Sequence, residues 1–279
     1  MMHQHTLRSV LEFEGVGLHT GAPARLRIRP QVAGSGLRFR LDDGRVTFPA
    51  HAEYVVETRR ATVVGSGEHR VSTVEHVLSA LFAMGVDNAL LEVEGPEIPV
   101  LDGSSATFAE AIAKAGVVEQ HAARALFAID APQVFRDGDA MLVVAPAPAF
   151  RIRFAVDYAP PVGAQFLDAA IDPDYYIREI APARTFGYLH EVEALLQAGL
   201  ARGGTLENAL VFGPDGPLTE LRWPNEVVRH KVLDLIGDFA LLGAWPQFEV
   251  LSVKSGHRLH ARAAQDLRAA YPSRLAAAR

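Results

Sequence analysis

The sequence EVVRHKVLDLIGDFALLG, residues 226–243, decides the fold more than any other stretch of this chain. Its apolar residues recur at three- and four-residue steps, as the buried face of an amphipathic helix requires. Ionisable residues recur beside them at four-residue steps, at Glu226, His230, Asp234 and Asp238. Because side chains four residues apart lie on nearly one face of a helix, two of these groups could bind one cation. A solvated stripe on an ordinary helix would give the same pattern.

A second amphipathic segment lies far upstream, at residues 73–84, and is introduced by the run STVEH at residues 72–76. Its apolar residues again recur at helical spacing. Ser72 and Glu75 fit a capping box, in which a glutamate at the third helical position bonds back to the N-cap amide, so Glu75 could simply begin a helix. His76 lies away from the apolar stripe, where a surface histidine would also lie.

If the two helices meet, their ionisable groups assemble a metal site. His230 and Asp234, one turn apart, are donors suited to zinc, and His76 from the upstream helix would complete three protein ligands. The fourth coordination position would stay open, as catalysis requires. Two imidazoles and one carboxylate also suit ferrous iron, so the residue types alone do not select the metal.

Composition restricts the possible ligands and partners. The chain has 279 residues, 49% hydrophobic content, no cysteine and a net charge of −6. It can bury a sizeable core, and without cysteine a metal site has only nitrogen and oxygen donors. The sequence has no Lys/Arg cluster, signal peptide or long uncharged apolar run. We therefore expect a cytoplasmic protein with no nucleic-acid partner and no transmembrane segment.

The order of elements around the two helices predicts a duplicated α+β fold. In the first half, two alternating strands precede the helix, and a strand and a second helix follow it. These predicted elements lie at residues 24–29, 37–41, 73–84, 89–93 and 104–115. The second half repeats the order, at residues 141–144, 151–156, 226–243, 248–253 and 258–270. This repetition predicts two similar halves, although no residue-level repeat is visible.

The predicted domains are residues 1–122 and 123–279, with the join near residues 118–128. Each domain is expected to be a β-sheet layered with paired helices. The second carries an insert at about residues 188–212, because a helical pattern and a Gly203-Gly204 break precede a short apolar strand there.

Six blocks of the sequence resemble the zinc-dependent UDP-3-O-acyl-N-acetylglucosamine deacetylases of lipid A biosynthesis. In order along the chain, they are Gly15–Gly21, Ser72–His76, Pro96–Ser104, Ala183–Gly187, Arg229–Asp238 and Ser255–His257. Six blocks in the right order are far more specific than any one of them. The resemblance implies two halves, each with an insert and with the active site between them. It also implies hydrolysis of the substrate's N-acetyl group to a free amine and acetate, with one Zn²⁺ per chain.

The resemblance assigns catalytic roles to matching residues. The implied zinc ligands are His76, His230 and Asp234. The implied catalytic residues are Glu75 as general base, His257 as the second catalytic group, Asp238 as the carboxylate that orients His257, and Thr185 as the hydroxyl that steadies the oxyanion. Amide hydrolysis needs an activated water, a stabilised oxyanion and a proton for the amine, and this set supplies all three.

The resemblance also implies substrate contacts. Lys231 matches a cation near the diphosphate, Phe186 an aromatic residue beside the sugar, and His19 lies in the first matching block. Four residues match an apolar passage for the acyl chain: Val192, Leu206, Ala209 and Val211. Core packing of the insert would explain the same four residues. The pair at residues 59–60, Arg-Arg, could assist diphosphate binding or simply lie on the surface.

Two other functions stay open at this point. A hydrolase of a different acylated amine would share the metal site but would not act on the UDP-sugar. A non-catalytic α/β binding module would bind no stoichiometric zinc and would tolerate loss of Glu75. The favoured prediction is an enzyme with a UDP-linked acylated amino sugar as its small-molecule substrate, and we expect a monomer.

Overall fold

The structure, a computed structural model, describes residues 2–41 and 44–272 and confirms the α+β class. The strands of the first half are β1 (His3–Leu7), β2 (Leu11–Val16), β3 (Pro23–Pro30), β4 (Leu37–Leu41), β5 (Val46–Pro49), β6 (Val55–Glu57), β7 (Val63–Ser66), β8 (His69–Val71), β9 (Ala89–Glu94) and β10 (Val117–Ala123). Its helices are α1 (Glu75–Ala83) and α2 (Ala106–Ala115). Apolar residues alternate with charged ones in β3 and β4, which gives these strands one buried face.

The second half has the strands β11 (Leu126–Ala128), β12 (Gln133–Asp137), β13 (Ala140–Pro146), β14 (Arg151–Asp157), β15 (Ala164–Ala170), β16 (Phe186–Tyr188), β17 (Leu210–Gly213), β18 (Gly216–Pro217) and β19 (Trp245–Val253). Its helices are α3 (Pro173–Tyr175), α4 (Leu189–Gln197), α5 (Glu226–Ala240) and α6 (His257–Ala270). A π-helical turn at Tyr176–Ile180 follows α3. No helix in the described part of the chain is long and apolar enough to cross a membrane.

The main sheets of the two halves have the same topology. The first has the order β2-β3-β9-β4-β5 and the second β12-β13-β19-β14-β15, with β11 added beside the start of β19. Along each five-strand order the third and fourth strands are parallel and the other neighbours antiparallel, and β11 is also parallel to β19. In each half, the central strand of the sheet lies between two helices in the sequence. Helices α1 and α2 precede and follow β9, and helices α5 and α6 precede and follow β19. The predicted duplication of element order is therefore present.

Each half carries an insert, which lies between β5 and α1 in the first half and between β15 and α5 in the second. The first insert is the three-stranded sheet β6-β7-β8, and the second is the sheet β16-β17-β18 with helix α4. The second insert spans residues 186–217, wider than the expected 188–212, because Phe186–Tyr188 pairs with β17. We propose the domain boundary at residues 122–123, at the last residue of β10, since β10 pairs with β1 whereas β11 pairs with β19.

Helices α1 and α5 pack against each other in the centre of the molecule. Every residue of α1 is buried, and α5 buries 13 of its 15 residues. The ionisable stripe of α5 is buried as well, so its interpretation as a solvated surface stripe was wrong. The physical reason is that α5 is covered on several sides, by α1, α6 and strands β14 and β15.

Gly237 lies at a close contact between α1 and α5. An ideal Cβ on Gly237 would lie 2.0 Å from the backbone oxygen of Glu75, so no larger residue fits without a shift. We expect Gly237→Ala to push the helices apart, to lower the free energy of unfolding by about 1–3 kcal/mol, and to reduce activity through Glu75. Denaturant unfolding and steady-state kinetics measure both effects. An unchanged free energy of unfolding would contradict the close contact.

Candidate active site

The contact between α1 and α5 brings all three predicted metal ligands together. His230 Nε2 lies 3.4 Å from Asp234 Oδ1, and His76 Nε2 lies 3.9 Å from the same oxygen. One candidate ligand atom from each of the three residues lies within 4.8 Å of the others. All three side chains are buried. The alternative explanation of His76 as a surface histidine was wrong, because α5 covers that side of α1.

Hydrogen bonds hold two of these side chains in a ligating orientation. His230 Nδ1 donates to the backbone oxygen of Ala183 at 3.0 Å, which leaves the lone pair on Nε2 free. Lys231 Nζ donates to Asp234 Oδ2 at 2.5 Å. Asp234 Oδ1 is buried and has no hydrogen-bond partner among the described residues. An unpartnered carboxylate oxygen facing two imidazoles fits a divalent cation, which would satisfy it.

The charges of the cluster also suit a cation. Burial, with His230 nearby, lowers the pKa of His76 to about 3, and burial lowers the pKa of His230, so both rings are neutral at pH 7. Burial opposes ionisation of Asp234, but His230 and Lys231 outweigh it and hold its pKa well below the usual range. Neutral imidazoles and an ionised carboxylate are the forms that bind metal.

Glu75 lies beside this cluster with its carboxylate buried. Its Oε2 accepts a hydrogen bond from Thr62 N at 3.0 Å, and its Oε1 lies 3.8 Å from His257 Nε2. Burial, only partly offset by His257, raises the pKa of Glu75 to about 8. The capping-box interpretation was wrong, because Ser72 N donates to Pro96 O and no side chain caps α1.

His257 and Asp238 form a buried pair on the other side of Glu75. His257 is the first residue of α6, and its Nδ1 donates to Asp238 Oδ2 at 2.9 Å. Asp238 Oδ1 accepts from Thr62 Oγ1 at 2.5 Å. Burial opposes a charge on His257, but the carboxylates of Asp238, Asp234 and Glu75 outweigh it and raise its pKa to about 9. His257 is therefore held as a cation at neutral pH.

These residues face an open cleft of about 520 Å³ between the two halves. Most of the predicted site residues line it: His19, Glu75, His76, Thr185, Phe186, His230, Lys231, Asp234 and His257. Asp238 lies behind His257. The ring of Phe186 contacts Tyr158, another lining residue, edge to face at 5.3 Å. His19 Nε2 is buried without a hydrogen-bond partner among the described residues.

The four residues of the expected acyl passage lie on the second insert and are not part of the cleft lining. Leu206 is 48% exposed, and Val192, Ala209 and Val211 are half-buried. Their role in acyl binding stays a prediction.

Arg60 links the two inserts at the cleft. Its guanidinium nitrogens lie 3.3 Å from both carboxylate oxygens of Glu191 on α4, and both residues line the cleft. Because Arg60 is exposed, the pair contributes only about 0–1 kcal/mol to stability. Arg59 is exposed as well.

Strained backbone marks the same cleft. Three residues other than glycine that line it, Arg60, Thr73 and Lys254, have φ values of 66°, 59° and 52°. Such left-handed residues are uncommon and concentrate at functional sites. Thr73 is held there by its hydroxyl, which donates to Glu97 at 2.7 Å.

Sequence reasoning missed three residues that support the site. Thr62 bonds both Glu75 and Asp238, and His260 Nδ1 lies 2.8 Å from Asp238 Oδ2. Buried Glu97 accepts from His19 N, Thr20 N and the hydroxyls of Thr20 and Thr73, which joins the block Gly15–Gly21 to the residues just before α1. The spacing of His257 and His260 on a predicted helix could have revealed His260. Glu97 lies in the matching block Pro96–Ser104 but was assigned no role, and Thr62 had no comparable signal.

Comparison with known proteins identifies the family to which this chain belongs. The profile of the UDP-3-O-acyl N-acetylglycosamine deacetylase family matches residues 4–269. Three similar proteins are named UDP-3-O-acyl-N-acetylglucosamine deacetylase. That of Nostoc sp. is 45% identical over 273 residues, covering 95% of this chain and 98% of the relative. That of Geobacter sp. strain M21 is 42% identical over 272 residues, covering 96% of this chain and 89% of the relative. That of Myxococcus xanthus is 46% identical over 267 residues, covering 92% of this chain and 84% of the relative. The chain therefore belongs to the UDP-3-O-acyl N-acetylglycosamine deacetylase family.

Proposed function

We propose that this protein hydrolyses the N-acetyl group of UDP-3-O-(3-hydroxyacyl)-N-acetylglucosamine, giving the free amine and acetate in lipid A biosynthesis. The observation that carries the proposal is the buried group of His76, His230 and Asp234 beside Glu75 in one cleft. Membership of the deacetylase family, over nearly the whole chain, supports the substrate.

Zn²⁺ is the proposed metal, held by His76, His230 and Asp234. The two imidazoles, the carboxylate and the unpartnered Asp234 Oδ1 support a cation of this kind. When bound, zinc lowers the pKa of a coordinated water and polarises the amide carbonyl. Ferrous iron accepts the same donors, so metal analysis of purified protein and reconstitution with each metal distinguish the two.

The residues of the chain supply the remaining chemistry. Glu75 takes the proton of the attacking water, with its Oε2 held by Thr62 N and its Oε1 toward His257. The Thr185 hydroxyl donates to the oxyanion as the carbonyl carbon becomes tetrahedral. His257, kept protonated by Asp238, gives a proton to the departing amine.

Substrate binding uses the rest of the cleft. Phe186 offers an aromatic face beside the sugar, and His19 offers an imidazole nitrogen that has no partner among the described residues. Lys231 lies at the wall of the cleft, but its ammonium group is already bonded to Asp234. Its charge therefore acts on the diphosphate over a distance while it holds the metal-binding carboxylate.

Acetate release from UDP-3-O-acyl-N-acetylglucosamine tests the function, with bound metal quantified in parallel. Turnover with about one zinc per chain, lost on chelation, would support the proposal. Bound metal without turnover would indicate a hydrolase of another acylated amine. Neither metal nor turnover would leave a non-catalytic binding module.

The pH dependence of the reaction should identify the proton donor. We expect a bell-shaped profile of kcat/KM, with one base and one acid. Because the carboxylates around His257 raise its pKa to about 9, activity that needs the protonated ring falls as pH rises through that value. His257→Ala should remove or displace this basic limb. An unchanged basic limb would exclude His257 as the acid.

Chain-length selectivity should reveal the acyl passage. We expect larger side chains at Ala209 or Val211 to reduce kcat/KM for long acyl chains before short ones, because a narrowed passage excludes the distal carbons first. The measurement is kcat/KM for a series of substrates of increasing chain length. Equal loss at every length would indicate misfolding of the insert instead.

We also propose that the enzyme acts as a cytoplasmic monomer. A nucleotide-activated sugar as substrate supports the compartment. Sedimentation and cell fractionation test the two statements separately.

A further inference from the structure

A second imidazole lies behind the pair of His257 and Asp238. His260, one turn along α6, places Nδ1 2.8 Å from Asp238 Oδ2, the oxygen that also accepts from His257. His260 is completely buried and is not part of the cleft lining, so it cannot touch the substrate. Its ring packs edge to face against Phe154 and Phe239.

The other ring nitrogen of His260 meets a chain of buried hydroxyls. Its Nε2 lies 2.6 Å from Ser255 Oγ, which lies 2.5 Å from Ser252 Oγ. An ionised carboxylate only accepts, so His260 Nδ1 donates to Asp238. Burial lowers the pKa of His260, so the ring is neutral and Nε2 accepts from Ser255. Ser252 then donates to Ser255, and the chain of bonds has one direction.

We propose that His260 is a positioning residue for the deacetylase reaction, which holds Asp238 so that His257 presents Nε2 to the cleft. Asp238 receives donors at both oxygens, from the two histidines at Oδ2 and from Thr62 at Oδ1. A carboxylate held in this way cannot rotate away from His257 Nδ1. His257 Nε2 then stays 3.8 Å from Glu75 Oε1 and 3.9 Å from Asp234 Oδ2. The inference rests on the role proposed for His257.

Two substitutions separate the hydrogen bond from the packing. His260→Leu fills the space but removes the donor to Asp238, whereas in His260→Asn the amide nitrogen takes the place of Nδ1 and can still donate to Asp238. We expect His260→Leu to lower kcat about 10–100-fold with full metal content, as for other residues that orient a reacting group. We expect KM within about threefold and His260→Asn close to wild type. His51→Leu, which removes a histidine bonded to Arg268 outside the cleft lining, should leave kcat unchanged.

Nitrogen-15 NMR of the histidine rings in the metal-loaded enzyme reads the hydrogen bonds without turnover. We expect His260 as the Nδ1–H tautomer and a bonded Nδ1–H on His257 that is lost in His260→Leu and kept in His260→Asn. If His260→Leu does not fold, Ser255→Ala replaces it as the test. Without the Ser255 hydroxyl, His260 Nε2 loses its hydrogen-bond donor, and we expect the ring to be held less strictly as the Nδ1–H tautomer.

Three outcomes would overturn the inference: an Nε2–H tautomer of His260, equal loss of kcat in the Leu and Asn variants, or unchanged kcat in His260→Leu. If instead His257 is not the proton donor, the results differ. His257→Ala would then leave the basic limb of the pH profile unchanged, while the hydrogen bond between His260 and Asp238 would still be observed.

Discussion

Glu75→Ala will keep its bound metal and lose most of its turnover, by about 10²–10⁴-fold, the usual contribution of a general base. Metal binding should survive because the proposed ligand atoms belong to His76, His230 and Asp234. Turnover should fall because Glu75 is the carboxylate beside these ligands that is free to take a proton, with one oxygen held by Thr62 N. Acetate release and metal content, measured on the same preparation, give both results.

Glu75→Gln is the matched variant, because it keeps the size of the side chain. Its amide oxygen can still accept from Thr62 N, so the gap that alanine leaves between α1 and α5 does not form. If both variants lose turnover equally, the missing function is proton transfer. Turnover of either variant within about tenfold of wild type would exclude Glu75 as the base.

The parts of the site that could be predicted from sequence depend on local spacing. The four-residue steps in α5 and the apolar pattern of α1 identify both helices and which side chains share a face. The repeated order of elements predicted two similar halves. These features need no knowledge of distant contacts.

The parts that escaped prediction depend on contacts between distant segments. Burial of His76 follows from the packing of α5 on α1, and Thr62 meets Asp238 across 176 residues of sequence. The sequence of residues 72–76 fits both a capping box and a buried general base at Glu75. The difference arises from Thr73, whose positive φ turns Ser72 toward Pro96 and leaves α1 to begin at Glu75.

Asp234→Ala will lose metal, turnover and stability together. Asp234 Oδ1 is the oxygen that faces both imidazoles, and Oδ2 holds Lys231. Without it, only two of the three proposed ligands remain, and we expect the transition state to lose several kcal/mol of charge stabilisation, more than about 10²-fold in rate. The ammonium group of Lys231, mostly buried, is left unpaired, which costs about 3–5 kcal/mol of unfolding free energy. Metal analysis, kinetics and denaturant unfolding measure the three effects.

Glu226→Gln is the control for these losses, because Glu226 belongs to the same stripe and is also fully buried. Its carboxylate bonds Arg184 and the backbone N–H of Arg222, not the ligand group. We expect this variant to lose stability but to keep its metal. Asp234→Asn, which retains an oxygen but no charge, should bind metal more weakly than wild type. If Asp234→Ala binds as much metal as Glu226→Gln, the carboxylate is not a ligand, and its unpartnered oxygen needs another explanation.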